Sequence, residues 1–68
     1  MTIQQARQLK VGSLVGYPKD RREAAGRGRV THLSQTENRN HAGVPYIWVT
    51  VRYDRHRAAV WPSSRLTT

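Results

Sequence analysis

Sixty-eight residues allow one domain, and a chain this short buries only about 60% of the surface its unfolded form exposes. Twelve Lys and Arg against four Asp and Glu leave a formal net charge of +8, with a pI near 11.4. Without cysteine there is no disulfide framework and no thiolate metal site, and no apolar run approaches the roughly 18 residues of a membrane span.

The opening Met1-Thr2-Ile3-Gln4-Gln5 has neither a basic nor an apolar stretch of the kind a signal peptide needs, so none is expected and the cytoplasm is the default location. Thr2 to Leu9 reads as a short helical turn: Thr2 and Gln5 fit a capping box, and Ile3, Ala6 and Leu9 share a side. Residues 1–10 thus form an N-terminal arm or helical turn ahead of a domain over 11–68. Leu14–Tyr17 is the first predicted strand, ended by Pro18. A long charged loop, Lys19–Gly26, leads to a second strand over Arg27–Ser34, where Gly28 marks a close backbone approach or a bulge. Gln35–Gly43 reads as a polar, turn-rich loop. Tyr46–Tyr53 is the clearest strand, followed by a hairpin loop at Asp54–Arg57 and a fourth strand over Ala58–Trp61. Pro62 closes that strand, Ser63–Arg65 suits one helical turn, and Leu66–Thr68 a short fifth strand. Five short strands are too few for a two-sheet sandwich, so the expected architecture is all-β, a small bent barrel of five strands. Its expected core is Leu14, Val30, Leu33, Ile47, Val49, Val51, Leu66 and one of Val60 or Trp61.

The third strand has two unlike faces. Ile47, Val49, Val51 and Tyr53 alternate onto one side and read as core; Tyr46, Trp48, Thr50 and Arg52 fall on the other. A solvated strand face rarely carries two large aromatics and an arginine. Ten of the twelve bases are arginine, whose planar fork matches phosphate geometry and stacks on rings. An anionic partner is therefore expected, with nucleic acid first and DNA slightly ahead of RNA. Arg21, Arg22, Arg27 and Arg29 flank a glycine-containing loop suited to phosphate contact; the competing reading is a solvated loop neutralised by Asp20 and Glu23. Arg52, Arg55 and Arg57 cluster at the second hairpin, near Tyr46 and Trp48, which stack on bases or sugars in this reading. The same two rings would equally serve an assembly module, against an acidic partner or a second copy, because interfaces enrich aromatics and Arg.

Other chemistry is thinly represented. His32, His41 and His56 lie on three segments without metal-ligand spacing, and the carboxylates Asp20, Glu23, Glu37 and Asp54 sit in predicted loops among arginines. No serine sits in a nucleophile-elbow context. No catalytic residue, metal or cofactor is expected, and a binding protein is favoured over an enzyme.

The run Ala58-Ala59-Val60-Trp61-Pro62-Ser63-Ser64-Arg65-Leu66 resembles the closing segment of SH3-like barrels, in which strand four ends at a proline, a helical turn follows, and an apolar residue opens strand five. The resemblance extends over roughly residues 11–68 in strand order. In signalling members of that superfold the helical turn carries an aromatic that grips proline-rich peptides and the early loop is acidic; here that position is Arg65 and the loop is basic. The integrase C-terminal DNA-binding barrels are more similar in character, and the resemblance implies contact with nucleic acid. The type II dihydrofolate reductases, tetramers of short SH3-like chains, carry a glutamine, an apolar residue and a tyrosine before the matching proline. Ala59, Val60 and Trp61 occupy those positions here, without the amide that would hold the ligands.

Overall fold

The computed structural model describes residues 1–21 and 24–68; Arg22 and Glu23 lie outside the described residues. In chain order the elements are helix α1 (Ile3–Arg7), strands β1 (Leu14–Tyr17), β2 (Gly26–Leu33), β3 (Asn38–Arg39), β4 (Pro45–Tyr46), β5 (Trp48–Arg52) and β6 (Ala58–Pro62), and a 3-10 turn at Ser63–Arg65. Strands β1, β2, β5 and β6 form one antiparallel sheet in that order, and β3 and β4 a second, two-stranded one. The fold is mostly β with one short helix. No helix among the described residues is long and apolar enough to cross a membrane.

Each element follows from local chemistry. The Thr2 hydroxyl accepts from the Gln5 backbone N–H at 3.2 Å, and the Gln5 side-chain carbonyl accepts from the Thr2 N–H at 3.0 Å, completing the capping box. A five-residue helix is not stable alone; Ala6, fully buried in the core cluster, anchors it. Along β5 the burial alternates, with Val49 and Val51 inside and Trp48 and Arg52 outside. Antiparallel register extends this division to both neighbours: Val49 faces Trp61 and Leu33, and Val51 faces Ala59 and Val30. Those residues, with Ala6, Val15, Ile47 and Leu66, make the core and its immediate border.

Gly28 is needed for close approach. A Cβ there would lie 2.5 Å from a Val51 methyl and 2.7 Å from the Arg52 carbonyl oxygen. The bulge lies elsewhere, between Val30 and His32, where Thr31 is the extra residue. The turn between β3 and β4 uses a different glycine: Gly43 has φ +77° and donates to the Asn40 carbonyl at 2.9 Å.

Four expectations need correction. Leu14 is exposed and Val15 takes the core position, because Leu14 pairs with Arg29 on the outer side of the sheet while Val15 pairs with Gly28 on the inner side. In a four-residue strand either parity fits, and a one-residue shift exchanges the faces. The Gln35–Gly43 segment contains β3, which pairs with β4. The predicted strand Tyr46–Tyr53 is interrupted at Ile47, whose N–H donates to the buried Ser63 hydroxyl at 3.0 Å and whose carbonyl accepts from the Ser63 N–H at 2.9 Å. Finally, the C-terminal segment adds only a bridge, Gly16 to Thr67, with N–H to carbonyl bonds of 2.8 and 2.9 Å, so the main sheet has four strands with the fifth reduced to that contact.

Two stability predictions follow from these contacts. Gly28→Ala overpacks the β2–β5 seam by about 2 kcal/mol and lowers the thermal midpoint by roughly 10 °C. Ser63→Ala strands the Ile47 N–H in the interior and destabilises by about 1–3 kcal/mol in urea unfolding.

Candidate nucleic-acid interface

The outer face of the main sheet carries four of the nine predicted site residues, Arg27, Arg29, Trp48 and Arg52. Register places Arg29 directly opposite Arg52 on adjacent strands. Arg27 lies two residues from Arg29 on the same exposed side, opposite Gly16. Both central guanidiniums are held by backbone: Arg29 donates to the Gly12 carbonyl at 3.1 Å, and Arg52 donates from Nε to the Asp54 carbonyl at 2.9 Å and from a terminal nitrogen to the Arg55 carbonyl at 3.3 Å. The hairpin that supplies those carbonyls is closed by Tyr53 N–H donating to the Arg57 carbonyl at 2.8 Å, and Asp54 accepts the His56 N–H at 2.8 Å. Arg55 and Arg57 stand exposed in and beside this loop.

These residues enclose an open hollow. Arg29, Arg52 and Arg55, with Val11, Gly12 and Asp54 among its other walls, line a depression of about 470 Å³, and a second of about 250 Å³ beside it takes in Arg57 and His56. Like charges directly opposite one another on a sheet destabilise it by a fraction of a kcal/mol. The partners of Arg29 and Arg52 are carbonyls, which orient the two groups without neutralising them. An anion entering the hollow meets guanidiniums already positioned.

At the other end of the same face stand the aromatics. Trp48 is 41% exposed and Tyr46 half-buried, and their rings meet edge to face at 5.2 Å between centroids and 86° between planes. Four residues of strand separate Trp48 from Arg52, about 13 Å at a rise of about 3.3 Å per residue. The two rings belong to different sheets, since Tyr46 pairs with Asn38 and Trp48 with Pro62. Arg21 is exposed in the loop after β1, and Arg22 lies outside the described residues.

Trp61, not Val60, is the inward residue of β6. It is 5% exposed, its indole N–H donates to the Tyr53 hydroxyl at 2.6 Å, and its ring stacks on Tyr17 at 6.1 Å. Arg65 covers its other side, 5.3 Å from the ring centroid. Sequence reasoning missed Asn40, Pro62, Ser64 and Arg65, which border the groove beside Trp48 and Tyr46. Only the register of β5 with β6 and of β3 with β4 brings them there; the proline closing β6 was the one available signal. The three histidines are exposed and separate, and no three His, Asp or Glu among the described residues converge. Glu37 accepts from Arg7 at 2.6 Å, tying the helix to the segment before β3.

The two tryptophans separate by experiment. Trp61→Ala removes a core ring and lowers stability by about 3–5 kcal/mol, enough to unfold much of a chain this small, whereas Trp48→Ala stays within about 1 kcal/mol in a thermal melt. Comparison with family models, curated proteins and solved structures found no match to this chain.

Proposed function

We propose that this chain is a nucleic-acid-binding protein that grips the phosphate backbone with the outer face of its sheet and stacks on bases or sugars with Tyr46 and Trp48. The observation that carries this reading is the cross-strand pair Arg29–Arg52, held by carbonyls and left charged. A protein that keeps two guanidiniums side by side at a cost in stability has a use for them together, and a polyanion is the partner that repays it. Arg27, Arg55 and Arg57 extend the same positive surface, in line with a net charge of +8. DNA is the first substrate to examine. The acids among the described residues, Asp20, Glu37 and Asp54, are exposed and dispersed, which favours binding over catalysis.

We read the fold as a small SH3-like barrel left open at one seam. The support is its spatial order: C-terminal segment, β1, β2, β5, β6, with a helical turn after β6.

A second reading has its own support. Val60 is 58% exposed beside Trp48 on the outer face, a surface that would also suit a protein partner or a second copy. Sedimentation over a range of concentrations decides it: a stable oligomer favours assembly, and a monomer favours the open face required for nucleic acid.

Two measurements test the main proposal. With five arginines engaged, log K against log salt has a slope near −3.5 on single strands and near −4.5 on duplex, and replacing both Arg29 and Arg52 by Gln flattens it by roughly 1.5 to 2. A salt-independent affinity would contradict the proposal. Separately, Arg29→Thr relieves the cross-strand repulsion, so it raises the thermal midpoint by a few °C, about 0.2–1 kcal/mol, while weakening oligonucleotide binding.

A further inference from the structure

The main sheet has one open edge. Beyond β1 the chain's own C-terminal segment bridges Gly16 to Thr67, whereas β6 pairs with β5 and, among the described residues, with no other strand. The register shows which groups that edge exposes. Trp48 directs its carbonyl to the Ser34 N–H, on the side away from β6, and the Tyr53 N–H donates to the Arg57 carbonyl, on the side toward it. Backbone groups alternate in direction along an antiparallel strand, so Val51 and Val49 form the hydrogen-bonded pairs with Ala59 and Trp61. Ala58, Val60 and Pro62, opposite Arg52, Thr50 and Trp48, therefore point their backbone groups out of the sheet.

No charge guards this edge. β6 reads Ala58-Ala59-Val60-Trp61-Pro62, five residues with Val60 exposed at the centre. Edge strands are ordinarily blunted by a lysine, an inward charge or a proline within the strand; here the proline comes last. A second copy laid antiparallel on β6 overlaps it over its full length when Val60 meets Val60. Backbone bonds then form between the two Val60 residues, and from each Ala58 N–H to the Pro62 carbonyl opposite it. The operation is a two-fold, and with β1 already bridged it closes at two copies.

Alone, this pairing is weak. Strands of five residues bury well under the roughly 1,200 Å² of a stable interface, and each copy carries a charge of +8. A polyanion shared by both copies removes the repulsion. Across the joined sheet the row Arg29, Arg52, Ala58 continues into Pro62 and Trp48 of the second copy. Arg52 then stands three strand spacings, about 14 Å, from the second copy's Trp48, close to the ~13 Å that separates it from its own.

We propose that two copies pair edge to edge through β6 on one nucleic-acid strand, so that the arginine pair of each copy works with the Trp48 of the other. The proposal rests on the phosphate-binding reading above.

The test uses the absence of native cysteine. Val60→Cys puts a single thiol on the two-fold axis, where bonded antiparallel partners stand about 5.5 Å apart between Cα atoms, within disulfide range. With oxidised glutathione as oxidant and a strand of about 20 nucleotides present, Val60→Cys is expected to cross-link about tenfold faster than Val44→Cys, an exposed position in the β3–β4 turn. A tetranucleotide, too short to join the two Arg29 positions about 24 Å apart over five strand spacings, gives no such excess. Salt raises cross-linking of the free Val60→Cys protein by screening its charge, while it weakens nucleic-acid binding. Val60→Lys guards the edge without removing a positive charge. It keeps tetranucleotide affinity within about twofold and lowers the Hill coefficient on the long strand from about 2 to about 1. Cross-linking no faster than at Val44, or a Hill coefficient that Val60→Lys leaves unchanged, overturns the paired edge while leaving phosphate binding intact. Absence of binding to every oligonucleotide, with salt-driven cross-linking at Val60 retained, overturns the phosphate reading and with it the shared strand.

Discussion

The reciprocal pair of hydrogen bonds between Ser63 and Ile47 is the hinge on which the molecule is built. Ser63 is fully buried, and its hydroxyl and N–H take both backbone groups of Ile47. Ile47 can then drop its side chain into the core without a neighbouring strand to pair with. A matching arrangement one residue later, in which Ser34 accepts the Trp48 N–H and donates its own N–H to the Trp48 carbonyl, starts β5. The chain thus leaves one sheet at Tyr46 and joins another at Trp48. That handover turns the two rings edge to face, with the groove beside them. Buried backbone groups are expensive to leave unpaired, so the Ser63 hydroxyl holds the break at Ile47, and the exposed bond from Trp48 to Ser34 marks the start of β5.

The small core follows the same economy. With only 68 residues, the inward side of β5 and its register partners must supply most of the buried apolar surface. Along β5 the division between faces is sharp: Val49 and Val51 are fully buried, and Trp48 and Arg52 are exposed. Trp61 shows how a large ring is accommodated, with its indole N–H satisfied by Tyr53 and its faces met by Tyr17 and Arg65. Arg65 thereby contributes to the packing of the interior and to the rim of the outer groove.

The outer side of the molecule carries two kinds of chemistry on paired strands. At one end, guanidiniums are oriented by carbonyls of the β5–β6 hairpin and of Gly12, so they are positioned before any ligand arrives. At the other end, Tyr46 and Trp48 meet edge to face beside a small groove. Charge attraction is long-ranged and indifferent to sequence, while stacking and edge contacts are short-ranged and selective. Arg29, Arg52 and Trp48 stand on paired strands, which fixes the spacing between them.

The sequence by itself determined the inside–outside alternation over Trp48–Arg52, the capping box at Thr2 and Gln5, the β5–β6 hairpin and the helical turn after Pro62. All four are written in neighbours a few residues apart, where periodicity and capping chemistry act directly. It also determined the excess of arginine. Tertiary structure alone decided that Val15 and not Leu14 enters the core, that Trp61 is inward and Val60 outward, and that the last strand shrinks to the bridge at Thr67. It alone brought Asn40, Pro62 and Arg65 around Trp48, and set Arg29 against Arg52. These outcomes depend on register between distant segments, and register is set by which buried backbone groups find partners and which side chains fit opposite a glycine. Such constraints act across the sheet, and no local window of residues contains them.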